Sequence, residues 1–190
     1  MSKNNKKRLP ESFFNKNTLK VAKDSLGKVL CVKNGRNILR GIIVETEAYC
    51  GEDDLANHAS KGRTKRTETM YLKAGTIYVY LVYGMHFCLN IVTEKENYPS
   101  AVLIRGILPI IEGTIKNEAK QKPIIGPGRI SRYFGIDKSF NGLDISGDKI
   151  WLEDWGIKVS KKDIIVSKRI GVDYAKHCKD YLWRFEVRRR

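Results

Sequence analysis

Cysteine and histidine are scarce in this sequence, and neither residue type forms a recognisable zinc-finger or redox motif. The 190 residues include three histidines and four widely separated cysteines, Cys31, Cys50, Cys88 and Cys178. No Cys-x-x-Cys pair is present, so the spacing excludes a zinc finger and gives no case for a disulfide framework. We therefore expect reduced structural thiols, as in a cytoplasmic protein.

Acidic residues are few compared with basic ones. There are 36 Lys and Arg against 21 Asp and Glu, which gives a formal net charge of +15. Such an excess favours polyanions through counterion release, although charge alone also fits simple solubility or association with ribosomes. The first ten residues are polar and basic and lack the apolar segment of a signal peptide. They predict a basic, mobile tail over residues 1–8.

One stretch requires a membrane test, because residues 74–93 contain no Asp, Glu, Lys or Arg over 20 positions. That length could span a bilayer. The stretch also contains three tyrosines, a histidine, an asparagine and many β-branched residues, which favour strands over a membrane helix. We predict two strands, 76–82 and 86–93, joined near Tyr83-Gly84-Met85, and no membrane partner.

Other patterns predict a single α+β domain dominated by antiparallel strands. One short helix is expected to begin at Asn17 or Thr18 and to end at Gly27, and a second to run from Gly126 to Gly135. The dipeptide Asn34-Gly35 predicts a hairpin turn. Further strands are predicted over residues 29–32, 38–49, 101–104, 149–152, 164–172 and 181–187, with a hydrophilic surface segment over 113–122.

The strand over residues 38–49 ends in two carboxylates and an aromatic ring. Simple alternation places Ile43, Glu45, Glu47 and Tyr49 on one face. An ionised carboxylate near a core is costly unless it is paired or has a chemical role, so Glu47 is our candidate general base. The alternative is an ordinary solvent-facing strand end.

Tyrosines form a second group of candidate site residues. Aromatic faces stack on nucleobases and attract cations, which makes Tyr49, Tyr78 and Tyr80 candidates for binding, although most strand tyrosines are simply half-buried. Tyr83 differs because it falls at the predicted turn, where there is no core to fill. An exposed aromatic at a hairpin tip of a basic protein indicates a wedge that enters DNA between base steps.

Two further segments have weaker signals. His58 follows Asp53, Asp54 and Asn57, but without a second His or Cys this spacing favours a hydrogen-bonding role over metal binding. The segment from Gly126 to Arg129 lacks the Gly-Lys-Ser/Thr ending of a P-loop. Its expected role is a helix N-terminus that offers backbone amides to a DNA phosphate.

Several long motifs occur in the order found in one enzyme family. They are RGIIVETEAY at 40–49, GTIYVY at 75–80, YGM at 83–85, FCLN at 87–90, GPG at 126–128 and RIGV at 169–172. With these motifs, residues 9 to about 187 resemble the alkyladenine (3-methyladenine) DNA glycosylases, the single-domain type of mammals and many bacteria. The resemblance implies one domain over residues 9–190, with a curved, open-barrel-like antiparallel sheet flanked by helices and a projecting hairpin.

The resemblance also implies roles for individual residues. Glu47 matches the general base, with Arg105 and the Val172 carbonyl holding the attacking water. The base pocket is implied at Tyr49, His58, Tyr80 and Asn90. Intercalation into DNA is implied at Tyr83 and Met85, and contacts with the DNA backbone are expected at Arg63, Gly128, Arg129 and Ser131. The chain carries His86 where family members often have an aromatic residue.

The implied activity is removal of alkylated purines from double-stranded DNA, with deaminated purines as further candidate substrates, water as nucleophile and an abasic site as product. A monomer without metal or other cofactor is expected, located in the cytoplasm on the nucleoid in a bacterium or in the nucleus of a eukaryote. No lysine is placed as a Schiff-base nucleophile, so no strand cleavage is expected. Two alternatives are a non-catalytic nucleic-acid-binding module, like that appended to formyltransferases, and a bifunctional glycosylase/lyase.

Overall fold

The computed structural model describes residues 6–111 and 122–188, and these form two helices and ten strands. Short 3-10 turns connect several of the elements. In chain order the elements are β1 (Lys7–Arg8), α1 (Thr18–Asp24), β2 (Val29–Asn34), β3 (Asn37–Cys50), β4 (Ile77–Val82), β5 (His86–Val92), β6 (Ser100–Ile110), β7 (Ile124–Ile125), α2 (Pro127–Phe134), β8 (Ile150–Asp154), β9 (Ile164–Ser167) and β10 (Arg184–Val187).

All ten described strands belong to one antiparallel sheet that does not close into a barrel. Its main order is β1-β8-β2-β3-β6-β5-β4, while β10 pairs with the end of β3 and with β9, and β7 pairs with β6. The sheet can branch because β3 is 14 residues long and β2 pairs only with its first half. The predicted single-domain α+β fold with an antiparallel sheet is confirmed.

The two helices cover one face of the sheet and enclose the main hydrophobic core. Asn17 caps α1 by accepting a hydrogen bond from the Lys20 amide at 3.3 Å, as the sequence predicted. Helix α1 is tied to β3 by the Thr46 hydroxyl, which donates to the Ala22 carbonyl at 2.9 Å. Helix α2 buries Ile130 and Phe134 in the same core. Both helices therefore lie on the side of β3 opposite the carboxylates.

Two compensating irregularities in the β3–β6 pairing decide where the β3 side chains point. Ile43 pairs with Ile107 and Glu45 with Gly106, so Val44 is an extra residue on β3, and the next shift leaves Arg105 unpaired on β6. Because of this bulge, the prediction from simple alternation, which placed Ile43 and Glu45 on one face, is wrong. Ile43 lies in the main core, whereas Glu45 faces the other side of the sheet, where it contacts Arg105.

The predicted hairpin is formed by β4 and β5, and residues 77–92 do not form a helix. The Met85 amide donates to the Val82 carbonyl at 3.1 Å, and Tyr83 and Gly84 have φ values of 51° and 69°. A tyrosine with positive φ is uncommon, so the turn holds this side chain in a costly conformation. Tyr83 is 89% exposed and Met85 72% exposed at the tip. Within residues 6–111 and 122–188, no helix is long and apolar enough to cross a membrane.

The predicted boundary of the N-terminal tail is not supported at residues 6–8. Lys7 and Arg8 pair with Asp154 and Glu153 as strand β1, and the Arg8 guanidinium lies 4.3 Å from the centre of the Trp151 ring. These residues are therefore docked on β8. Residues 1–5 of the predicted tail lie outside the described part of the chain.

Three predicted strands have different limits. Strand β6 extends to residue 110 instead of 104, and β10 begins at Arg184 instead of residue 181. The strand predicted over 164–172 stops at Ser167, because Arg169 turns inward to a buried carboxylate. Of the predicted hydrophilic segment, residues 113–121 lie outside the described ranges.

Candidate active site

A cavity of about 390 Å³ opens beside the C-terminal half of β3, and Pro127 at the start of α2 contributes to its lining. Its volume lies within the range of roughly 300–1,000 Å³ that is typical of small-molecule sites. The wall combines aromatic rings from β3, β4 and the segment after β3 with polar groups from β5, β6 and the loop before β10. The lining includes Tyr49, His58, Tyr78, Tyr80, Tyr83, Asn90, Arg105, Ile170, Val172 and Tyr174.

Glu47 lies directly behind this wall and is fully buried. One carboxylate oxygen accepts a hydrogen bond from the Tyr49 hydroxyl at 2.8 Å. The other accepts from the Ile170 amide at 2.9 Å and lies 3.5 Å from the Arg105 Nε. All three partners line the cavity. The carboxylate is therefore neither in bulk solvent nor in a close ion pair away from a cleft.

Burial raises the pKa of Glu47 above its ordinary value. The Arg105 charge and the hydrogen bonds from Ile170 and Tyr49 oppose this rise, and the nearby Glu45 charge adds to it. The net direction is upward because the carboxylate has lost its water and the nearest cation is not in close contact. A carboxylate of this kind is a stronger base than an exposed one and is suited to taking a proton from water.

The segment Ile170–Val172 borders the cavity beside Glu47. Gly171 has φ of 76°, a conformation that glycine adopts without strain, and the turn places the Ile170 amide on Glu47. Val172 is buried and lines the cavity, while its carbonyl accepts the Ala175 amide at 2.9 Å. The structure thus brings Val172 and Arg105 to the lining of the same cavity.

Aromatic rings form the wall next to Glu47. His58 and Tyr80 meet edge to face with centroids 4.3 Å apart, and Tyr78 lies 5.4 Å from Tyr80. The His58 Nδ1 is 3.1 Å from the Tyr78 hydroxyl. Burial, with the Arg66 charge, lowers the pKa of His58 to about 4, so the ring is neutral near pH 7. The cavity therefore combines electron-rich rings with an uncharged imidazole.

Asn90 and Asn57 have fixed orientations. The Asn90 side-chain nitrogen donates to the carbonyls of Tyr78 and Cys88, each at 3.2 Å, so that Asn90 forms a rigid part of the wall. The Asn57 side chain donates to the carbonyls of Gly51 and Pro99, each at 2.8 Å, and holds the segment that begins at His58. Asn57 was not among the predicted site residues.

Arg66 is a cavity residue that the sequence did not reveal. Its guanidinium lies 5.7 Å from the centre of the Tyr80 ring, and one of its nitrogens is 3.5 Å from the His58 Nε2. In the sequence it stands within a polar loop beside other basic residues, which gives no signal. Arg63, predicted to contact DNA, lies outside the cavity lining, where its exposed guanidinium is 2.7 Å from Glu68.

A second residue missed by the sequence analysis is Arg169. Its two terminal nitrogens contact the two oxygens of Asp54 at 2.5 and 2.7 Å, and both side chains are fully buried. The guanidinium also lies 4.7 Å from the centre of the Tyr49 ring. This pair fixes the chain just before Ile170, and it gives Asp54 a structural partner instead of a metal. Sequence alone does not distinguish a buried arginine from a surface one.

The residues at the start of α2 differ in their accessibility. Arg129 is exposed, and Gly128 packs against the His86 ring so closely that a Cβ there would lie 2.8 Å from the His86 Cβ. The prediction that Ser131 contacts the DNA backbone is wrong, because Ser131 is buried and its hydroxyl has no hydrogen-bond partner within the described structure. A hydroxyl that is buried in this way is not available to a DNA phosphate.

The substitution Glu47→Gln should stabilise the protein at neutral pH. The raised pKa means that the folded protein holds a proton that the unfolded chain releases, so stability falls as pH rises from about 4.5 through the folded-state pKa. The amide of the variant keeps an acceptor for the Ile170 N–H and removes the buried charge. We expect a gain of about 0.5–2 kcal/mol at pH 8 and almost none near pH 4, measured by urea unfolding. A loss of stability at pH 8 would contradict the burial argument.

Comparisons with known proteins agree with this geometry. The model of the family Methylpurine-DNA glycosylase (MPG) matches residues 12–190. A protein of Clostridium perfringens (strain 13 / Type A) is 43% identical over 95% of this chain and 96% of its own length, and one of Legionella pneumophila (strain Lens) is 45% identical over 96% and 95%. One of Methanocella arvoryzae is 46% identical over 93% and 90%. Each carries the name "Putative 3-methyladenine DNA glycosylase". This chain therefore belongs to the methylpurine-DNA glycosylase family.

Proposed function

We propose that this protein is a DNA repair glycosylase that removes alkylated purines from double-stranded DNA by hydrolysing the N-glycosidic bond. The observation that carries the proposal is the buried Glu47 carboxylate, with a raised pKa, directly behind an aromatic cavity. Membership of the family and the names of the relatives support the same reaction class.

The position of the cavity requires the target nucleotide to leave the duplex. The reactive carboxylate is buried, so a sugar inside a stacked helix cannot approach it. Extruding a nucleotide costs a few kcal/mol, and less for a damaged pair. The exposed Tyr83 at the rim of the cavity is placed to fill the gap left in the stack.

The aromatic rings of the cavity are suited to stacking on an alkylated purine. A purine alkylated at N3 or N7 is cationic, and cations are attracted to the faces of tyrosine rings such as Tyr49 and Tyr80. His58 is neutral near pH 7 and adds no charge beside the base, so Arg66 and Arg105 are the cationic residues of the cavity lining. The alkylated base is also a good leaving group, which reduces the need for a proton donor.

Hydrolysis requires a water molecule between Glu47 and the sugar. As the glycosidic bond lengthens, the sugar gains oxocarbenium character, and a nearby carboxylate stabilises that charge. Water then adds to the anomeric carbon while Glu47 accepts its proton, and the bond electrons leave with the base. Arg105 and Val172 line the cavity in which this water would lie, and we expect the Arg105 side chain and the Val172 carbonyl to hold it. The products are a free base and an abasic site.

Two alternatives lack specific support in the structure. A non-catalytic DNA-binding module would need the basic surface and exposed aromatics, but not a buried carboxylate at the cavity wall. A glycosylase with lyase activity would need a nucleophilic amine, and no lysine lines the described cavity. We expect the protein to act on DNA as a monomer, in the nucleoid of a bacterium or the nucleus of a eukaryote.

The substitution Glu47→Gln should abolish excision without abolishing binding. Removal of a general base typically costs about 10²- to 10⁴-fold, so base release from a duplex containing 3-methyladenine or 7-methylguanine should fall at least 100-fold. Alkali-dependent nicking of defined lesion duplexes measures this release. Binding to the same duplexes should change by only a few-fold, because glutamine retains the shape and most contacts of Glu47.

The structure offers a matched control in Glu153→Gln. Glu153 is a strand carboxylate on β8 that accepts hydrogen bonds from two tryptophans and lies outside the cavity lining. This variant should excise at the normal rate. Equal excision by Glu47→Gln and the wild type would remove Glu47 from the mechanism. Borohydride trapping of a covalent enzyme–DNA adduct would favour the lyase alternative.

The substitution Tyr83→Ala should weaken lesion binding much more than folding. Tyr83 is 89% exposed, so the stability change should stay within about 0.5 kcal/mol. Loss of an intercalating aromatic should reduce affinity for lesion duplexes about tenfold or more, at about 1–3 kcal/mol per stacked base. Fluorescence anisotropy and thermal unfolding measure the two effects. A large fall in melting temperature with unchanged DNA affinity would instead make Tyr83 a structural residue.

A further inference from the structure

Glu45 is a fully buried carboxylate that the proposed mechanism does not use. One of its oxygens lies 2.6 Å from the Arg184 Nε and 3.0 Å from the Arg105 Nε. The same Arg105 nitrogen is 3.5 Å from Glu47. Two buried carboxylates therefore share one guanidinium at the wall of the cavity.

The local backbone is built for this sharing. Glu45 and Glu47 share one face of β3 by simple alternation, while the bulge at Val44 lets Ile43 stay in the core on the other face. The second shift releases Arg105 from regular pairing. Gly106 stands opposite Glu45, and a Cβ there would lie only 2.6 Å from the Glu45 Cβ. Only glycine leaves room for the Glu45 side chain to lie beside Arg105.

The two arginines are held differently. Arg184 donates to Glu45, to the Ser167 hydroxyl at 3.1 Å and to Glu186 at 2.9 Å, so its position is fixed on three sides. The Arg105 Nε forms a hydrogen bond with neither Glu45 nor Glu47 in the described structure. It lies between the two carboxylates and is held by charge, with its head at the cavity.

We propose that Glu45 is a positioning residue that competes with Glu47 for Arg105 and so keeps the reacting carboxylate out of a close ion pair. The proposal rests on the proposed function, because it assigns Glu45 a role in that reaction. If Glu45 lost its charge, Arg105 would have Glu47 as its only carboxylate partner at this wall. A close guanidinium contact stabilises the ionised form and weakens it as a base.

The direction of the effect follows from the groups that face Glu47. Glu45 raises the pKa of Glu47, and Arg105 lowers it. The titratable and charged groups around Glu47 are Glu45 and Tyr49 on its own strand, Arg105 on β6, Tyr80 and Cys88 on the hairpin, and Arg169 and Arg184 from the C-terminal segment. Removing Glu45 and removing Arg184 therefore have opposite effects on Glu47.

The test is the pH profile of single-turnover excision for Glu45→Gln and Arg184→Gln. A general base must be ionised, so the rate falls at low pH through the pKa of Glu47. For Glu45→Gln this acid limb should move down by about one pH unit, and the plateau should fall about three- to tenfold because the base is weaker. For Arg184→Gln the acid limb should move to higher pH, since Glu45 then attracts Arg105 away from Glu47.

Acid limbs that move in opposite directions in the two variants support the proposal. A purely structural role of Glu45 and Arg184 would lower both excision rates without moving either acid limb. An acid limb that stays fixed or moves up in Glu45→Gln would overturn it. If that variant does not fold, Arg184→Gln decides alone, with an upward shift in support and an unchanged limb against. Glu153→Gln should keep the wild-type profile. Excision by Glu47→Gln would refute the proposed mechanism itself, whereas an inactive Glu47→Gln with an unshifted Glu45→Gln would refute only the positioning role.

Discussion

The structure depends on holding an ionisable carboxylate, that of Glu47, out of bulk water. Glu47 retains its acidity only through the Tyr49 hydroxyl, the Ile170 amide and the more distant Arg105 charge. These contacts reduce the desolvation cost without cancelling it, so the pKa of the carboxyl stays raised. A buried group in this condition is costly for folding, and such costs are typical of catalytic sites.

The rest of the fold positions that carboxylate and its partners. The helices cover the opposite face of β3, which leaves the face of Glu45 and Glu47 free to form a cavity wall. The bulge at Val44 separates these two functions within one strand. The buried Arg169–Asp54 pair then fixes the loop that delivers the Ile170 amide, although Arg169 itself does not line the cavity. A rigid scaffold thus surrounds a site whose hairpin tip is fully exposed.

The sequence predicted the parts of this arrangement that depend on local pattern. The Asn17 cap, the hairpin at Asn34-Gly35 and the exposed turn at Tyr83 are each determined by a few neighbouring residues, and all three are confirmed. The face of Glu45 was assigned wrongly relative to Ile43, because a bulge depends on the partner strand and breaks the two-residue period.

The sequence patterns also did not predict which charged residues are buried. No pattern in the sequence marks Arg169 or Arg184 as buried, yet each is paired with a carboxylate that is distant in sequence. Arg66 reaches the cavity from a polar loop with no periodic pattern. Ser131 shows the opposite error, since a polar residue near a helix N-terminus is enclosed by the core.

The most direct test of this account is a carboxyl ¹³C NMR titration of Glu47 in the free protein, with the resonance assigned by its absence in Glu47→Gln. The account predicts a titration midpoint clearly above the ordinary 4.5 of a glutamate, because burial outweighs the Arg105 charge. A midpoint at or below 4.5 would show that the Arg105 charge and the hydrogen bonds from Ile170 and Tyr49 outweigh burial. That result would contradict its assignment as the base that activates water.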